Sequence, residues 1–111
     1  MTQTTLSGPT LNVEASTNLS AVTSATTGDT VDMRWYSDKT IFVTVAGNTG
    51  AVTVNIQASH DGTSWFAVKS QTYTATNSAD IFTYTSYYPY MRVTTSTQST
   101  STVTAVITGR T

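Results

Sequence analysis

No cysteine occurs in this 111-residue chain. That absence excludes a disulfide scaffold, thiolate zinc sites and cysteine nucleophiles together. His60 is the single histidine, so a metal site built from several imidazoles is impossible. Charged residues make up 10% of the chain, against about a quarter in an average globular protein. The formal net charge is -1, and Arg34, Lys39, Lys69, Arg92 and Arg110 are scattered without forming a run. No field therefore steers the chain onto nucleic acid or an anionic membrane, and neither is an expected partner. No apolar run approaches the ~20 residues that span a bilayer. The opening Met1-Thr2-Gln3-Thr4-Thr5-Leu6 lacks the basic and apolar regions of a signal peptide, so synthesis in a cytoplasm without signal-directed export is expected. Strong helix formers are scarce, with one Glu and two Lys, so helices are not expected.

The remaining polar residues offer little for catalysis. Ser59, His60 and Asp61 are adjacent, but neighbours on a strand point to opposite faces, whereas a triad needs groups converging from distant segments. A polar hairpin tip explains them more simply. A glycosidase needs two carboxylates facing across a cleft, and nothing pairs Glu14, Asp29, Asp32, Asp38, Asp61 or Asp80 in that way. Asp29 and Asp32 flank a turn-to-strand junction, where capping accounts for both. A calcium site using Asp29, Asp32 or Asp61 lacks calcium-loop spacing. The reading is a chain with no catalytic residues, no cofactor and no metal, and not an enzyme.

Alternation is what the sequence does have. Roughly a third of the chain is Thr or Ser, and Thr is β-branched and favours strands. Ile41, Val43 and Val45 alternate with Phe42, Thr44 and Ala46; Val52, Val54, Ile56 and Ala58 alternate with Thr53, Asn55 and Gln57. Gly47-Asn48-Thr49-Gly50 between them has hairpin turn chemistry, so 39–46 and 51–59 are expected to pair antiparallel. His60-Asp61-Gly62-Thr63 turns the chain into a strand at Trp65-Phe66-Ala67-Val68. Residues 72–78 read as loop or edge strand and 80–84 as a short strand ended by Pro89. Residues 90–95 put Met91 and Val93 on one face and Tyr90 and Arg92 on the other. Thr102–Thr108 follows, with Val103, Ala105 and Ile107 in phase. Residues 10–15 and 31–35 are further strand candidates. Residues 1–9 read as an extended arm whose Thr4, Leu6 and Pro9 supply candidate contacts. The length fits one domain, 10–111. Seven or eight short strands at these spacings predict an all-β, antiparallel two-sheet β-sandwich or jelly roll.

Aromatic residues carry the strongest binding signal. Trp35-Tyr36 and Trp65-Phe66 are adjacent pairs, so one ring of each should face the core and the other solvent. Tyr84, Tyr87, Tyr88 and Tyr90 cluster around Pro89. Exposed Trp and Tyr serve both protein interfaces and sugar platforms, because they bury large area at low entropic cost. The plainer reading fills the core or caps its ends, and for Trp65 and Phe66 that reading is preferred. Trp35, Tyr36, Tyr84, Tyr87, Tyr88 and Tyr90 are the candidate interaction residues.

The segment Ser59-His60-Asp61-Gly62-Thr63-Ser64-Trp65, followed by Tyr88-Pro89-Tyr90-Met91-Arg92-Val93 and the hairpin into Thr102–Val106, resembles small jelly-roll proteins of bacteriophage virions, of the head decoration or cement type. It is more weakly similar to galactose-binding-like carbohydrate modules. The resemblance covers about residues 39–108. The turn also explains itself: Asp61 can accept backbone N–H bonds, Gly62 takes positive φ and Trp65 packs under the hairpin. The resemblance implies a structural protein that binds the outer capsid surface, with the major capsid protein or another virion protein as partner. It also implies a homotrimer and a virion location after assembly in the host cytoplasm. A tail or fibre module and a glycan-binding module are the alternatives.

Overall fold

The computed structural model describes residues 13–111. The expected arm, with Thr4, Leu6 and Pro9, and the first residues of the strand expected at 10–15 lie outside the described residues. Eight strands and no helix occur among the described residues: β1 (Val13–Val22), β2 (Val31–Asp32), β3 (Asp38–Ala46), β4 (Val52–Ser59), β5 (Trp65–Tyr73), β6 (Ser78–Tyr84), β7 (Tyr90–Gln98) and β8 (Thr102–Arg110). They form two four-stranded antiparallel sheets, sheet A in the order β1-β8-β3-β6 and sheet B in the order β2-β7-β4-β5. This interleaving is the jelly roll, in which most successive strands change sheet.

The period-two alternation builds the core. Ile41, Val43 and Val45 from β3 and Val103, Ala105 and Ile107 from β8 are buried on one side of the interior. Val52, Val54, Ile56 and Ala58 from β4 and Met91 and Val93 from β7 oppose them. Tyr90 and Arg92 sit on the other face of β7, half-buried. Each fully buried aliphatic side chain contributes about 1.5–3 kcal/mol relative to exposure, so these facing rows dominate the fold's stability.

The expected hairpin of 39–46 with 51–59 does not form. β3 pairs with β6 and β8, whereas β4 pairs with β5 and β7. Alternation specifies which face of a strand is dry but not which strand lies beside it. Gly and Asn serve a corner between sheets as readily as a tight turn. Gly47 has φ 64. Asn48 is 2% exposed and holds the corner: its amide donates to the carbonyls of Ala75 (3.0 Å) and Gly50 (3.3 Å), and its Oδ1 accepts from the Asn77 amide (3.0 Å). The strand expected over 31–35 is shorter than its apolar pattern suggests, because Met33 turns inward to the core while Arg34 and Trp35 leave the sheet. The tail of β5 extends to Tyr73, whose hydroxyl donates to Asp80 of β6 (3.1 Å) and ties the two sheet edges together.

Removing the Asn48 side chain leaves buried backbone groups without partners. Asn48→Ala is expected to lower unfolding free energy by about 1–3 kcal/mol with an unchanged denaturant slope. Urea unfolding checks this, and a loss below ~0.5 kcal/mol contradicts the role of the corner.

Candidate functional site

The jelly-roll connectivity sends three loops over one end of the sandwich. They are the β2–β3 loop at 33–37, the β4–β5 turn at 60–64 and the β6–β7 loop at 85–89. All candidate aromatics from the sequence, together with Trp65 and Phe66, therefore gather at this end. Phe42, Tyr73 and Phe82 lie along the strands away from it.

The β4–β5 turn is built on two side chains. The Ser59 hydroxyl accepts from the amides of Asp61 (3.2 Å) and Gly62 (2.8 Å) and donates to Asp61 Oδ1 (3.0 Å). Asp61 Oδ1 accepts from the amides of Thr63 (2.9 Å) and Ser64 (2.8 Å). Those backbone N–H groups, Ser64 first, hold the Asp61 carboxyl well below the usual carboxylate range. Gly62 has φ 82 and open space around it, so its conformation rather than its size demands glycine. The hydroxyl of Ser59 is thus engaged inside the turn, and the exposed His60 imidazole lies 3.9 Å from Asp61 Oδ2 on the outside.

A buried lysine ties the other two loops together. Lys39 falls in phase with Ile41 and Val43 and is 1% exposed. Its ammonium donates to the carbonyls of Tyr36 (3.0 Å) and Ser86 (2.9 Å), one from each loop. Burial pushes its pKa below the ordinary lysine value. Nearby, Tyr36 lies against Gly109, where an added Cβ would come within 2.6 Å of the ring. The Glu14 carboxylate, as hydrogen-bond partner, raises the pKa of its hydroxyl.

The aromatics held by these loops divide into supports and presented surface. Tyr84 and Tyr88 pack against the core and meet edge to face at 5.9 Å. Tyr36 also packs on the core. Tyr90 faces out of sheet B beneath the Arg34 guanidinium, 5.6 Å from its ring centre, and Asp32 pairs with Arg34 at 2.8 Å. Trp35 and Tyr87 are 75% and 70% exposed. Tyr87, Tyr88 and Pro89 form one wall of an open cleft of about 400 Å³, and Ala58, His60, Phe66 and Val68 form the other.

Phe66 departs from the expectation that it fills the core or caps its ends. It pairs with Ala58 and so points to the inner side of sheet B, yet it is 62% exposed. Phe66 stands at the loop end of β5, an edge strand, where it lines the open cleft. Trp65, its neighbour, is half-buried on the outer face of sheet B, where the Arg92 guanidinium stacks 4.1 Å from its ring centre. His60, Phe66 and Lys39 were not candidate interaction residues in the sequence. Tyr87 and Tyr88 of the cleft are sequence candidates, whereas Phe66 reads as packing because alternation cannot tell an edge strand from a central one. Lys39 did carry a signal: a lysine in phase with three buried aliphatics. Among the described residues no three His, Asp or Glu converge to hold a metal ion.

Residues 29–111 match the family described as DUF6385, a domain of unknown function. The chain belongs to that family. The matched region runs through β2 to β8 and contains all three loops of the aromatic end. No protein of curated function matches the sequence. Among solved structures, the SPBc2 prophage-derived protein YomS superposes with a TM-score of 0.67 at 13% identity, over 96% of this chain and 100% of that one. A chain from the disulfide-linked pili of Bacillus endospore appendages gives a TM-score of 0.46 at 18% identity, covering 96% of each chain. The likeness to YomS shows a shared fold.

The Asp61 carboxylate contributes stability that is complete above the ordinary carboxylate range and lost as pH falls below it, because its folded pKa is depressed. The gap in unfolding midpoint between the wild type and Asp61→Ala is expected to be largest near pH 7. It should shrink as pH falls from about 5 toward 2. Thermal unfolding across that range checks it, and a gap independent of pH contradicts the carboxylate's role in the turn.

Proposed function

We propose that this chain is a non-enzymatic structural protein of a virion, a capsid decoration protein that binds the outer head surface through its aromatic end. The observation that carries this reading is the Phe66–Tyr87 cleft, with Trp35 also exposed on the β2–β3 loop at the same end of the sandwich. These are large apolar rings presented to solvent by loops that are themselves tightly tied down. Preorganised aromatic anchors bury area without first losing loop entropy, which suits docking on a protein surface. The apolar walls and the small number of charges around the cleft fit a protein partner such as the major capsid protein. The fold shared with a prophage-derived protein is in keeping with this setting. The arm at residues 1–9 belongs to the same proposal as a second contact, and deletion of residues 2–9 tests it separately.

A glycan-binding reading draws on the exposure of Trp35 and Tyr87. It is the weaker of the two, since Tyr36, Tyr84 and Tyr88, three of the candidate rings, are engaged with the core. A glycan array probed with the wild type and with the Trp35→Ala, Tyr87→Ala double variant separates the readings; a silent array removes the sugar.

Co-sedimentation with virions from the strain that carries the gene tests the main reading. Phe66→Ala and Tyr87→Ala are each expected to weaken binding at least tenfold, equivalent to ~1.4 kcal/mol or more. Thr53→Ala, on the outer face of sheet B, should bind as the wild type does. Equal binding by all three variants, or none by the wild type, overturns the proposal.

A further inference from the structure

The two outer faces of the sandwich differ in a way that the aromatic end does not explain. On the outer face of sheet B the polar side chains satisfy one another. Asn55 bonds Ser70 (2.8 Å) and Ser96 (3.0 Å), Thr53 meets Thr72 (2.9 Å), and Arg92 donates to Gln57 (2.7 Å) while covering Trp65. That face is complete in itself.

The outer face of sheet A is not. Register places Val106, Phe42 and Ile81 side by side across β8, β3 and β6, with Thr17 of β1 continuing the row. Phe42 is 44% and Ile81 60% exposed. The rows on either side carry Thr108, Thr40 and Thr83, and Thr104, Thr44 and Ala79. The charged pair on this face, Asp38 and Arg110, stands at one end and neutralises itself. Two shallow hollows of about 380 and 480 Å³ open on the same face, one beside that ion pair and one beside Phe42 and Ile81.

We propose that a second copy of this chain packs face to face on the outer surface of sheet A, along the Val106–Phe42–Ile81 row. The position of the row points to a second copy in particular. Phe42, Ile81 and Val106 each stand at the middle of their strands. A two-fold axis lying between the sheets, whether along the row or along the strands, therefore lays the row onto itself. An isologous interface requires this self-complementarity. The area is sufficient. Four strands at ~4.8 Å and strands of about nine residues at ~3.4 Å give a face of roughly 600 Å² before side-chain relief. Two such faces reach the ~1,200 Å² at the lower end of specific interfaces. Among the described residues the charges on this face are paired, so stacking strands no ion, and aligned sheets pack at ~10 Å with interdigitating side chains. This surface is separate from the aromatic end, so one copy can use both.

Sedimentation equilibrium of the full chain tests the pairing. The wild type is expected to approach twice the chain mass as concentration rises. Ile81→Arg should raise the dimer dissociation constant at least tenfold, while Phe66→Ala at the aromatic end leaves it unchanged. Circular dichroism confirms that each variant is folded. The cysteine-free chain allows a second measurement that does not depend on Ile81→Arg folding. Val106→Cys lies near either two-fold axis and should be joined into a linked dimer by a short bismaleimide, whereas Ser70→Cys on the outer face of sheet B should not. A wild type that stays monomeric to high concentration overturns the proposal. So does a trimer whose mass ignores Ile81→Arg, or equal linking through Ser70→Cys.

Discussion

The constraint on which this structure depends is that β3, β4, β7 and β8 each have one dry face and, among the described residues, no helix to cover it. Ile41, Val43 and Val45 and their counterparts in β4, β7 and β8 can leave water only by facing a second sheet. Once two sheets stack, the connections must run over the two ends of the sandwich. Jelly-roll interleaving then decides which segments meet there. At one end the meeting is polar and is held by the buried amide of Asn48. At the other it is aromatic and is held by a buried ammonium.

That ammonium has a demanding position. Burying a lysine is costly unless its donors find partners, and Lys39 finds them in two carbonyls from different loops. The arrangement converts a core position into a tie between the loops that carry Trp35 and Tyr87. The Ser59–Asp61 network does the same for the third loop, which supplies His60 and leads into Phe66. The presented rings therefore rest on a frame whose polar groups are satisfied, as a docking surface with a low entropic cost of binding requires. The two outer faces make a parallel contrast: hydrogen-bonded polar groups close one face, and an apolar row crosses the other.

The faces of the strands were legible from residue order because the side-chain period is two. Val103, Ala105 and Ile107 are buried, and Met91 and Val93 face in while Tyr90 and Arg92 face out, as alternation requires. The Asx geometry of Asp61 and the positive φ of Gly62 were equally legible, since both are local. Partnership was not. β3 and β4 are neighbours in sequence and carry turn residues between them, yet they lie in different sheets, because pairing is decided by contacts distant in the chain. Phe66 shows the same limit at the site. Its inward direction follows from its strand, whereas its exposure goes with its place at the loop end of an edge strand. Tyr84 and Tyr88 show the converse: both pack on the core, Tyr84 facing inward at the end of β6 in register with Lys39 and Tyr88 from the loop that Lys39 anchors.

Hydroxyl-radical footprinting of the chain, free and mixed with the virions proposed as its partner, tests whether the aromatic end is the working surface. Protection of Trp35, Phe66 and Tyr87 on binding, with Trp65 unchanged, is the expected result. Retained reactivity at Trp35, Phe66 and Tyr87 in the bound state, with protection on the outer face of sheet B instead, would contradict it.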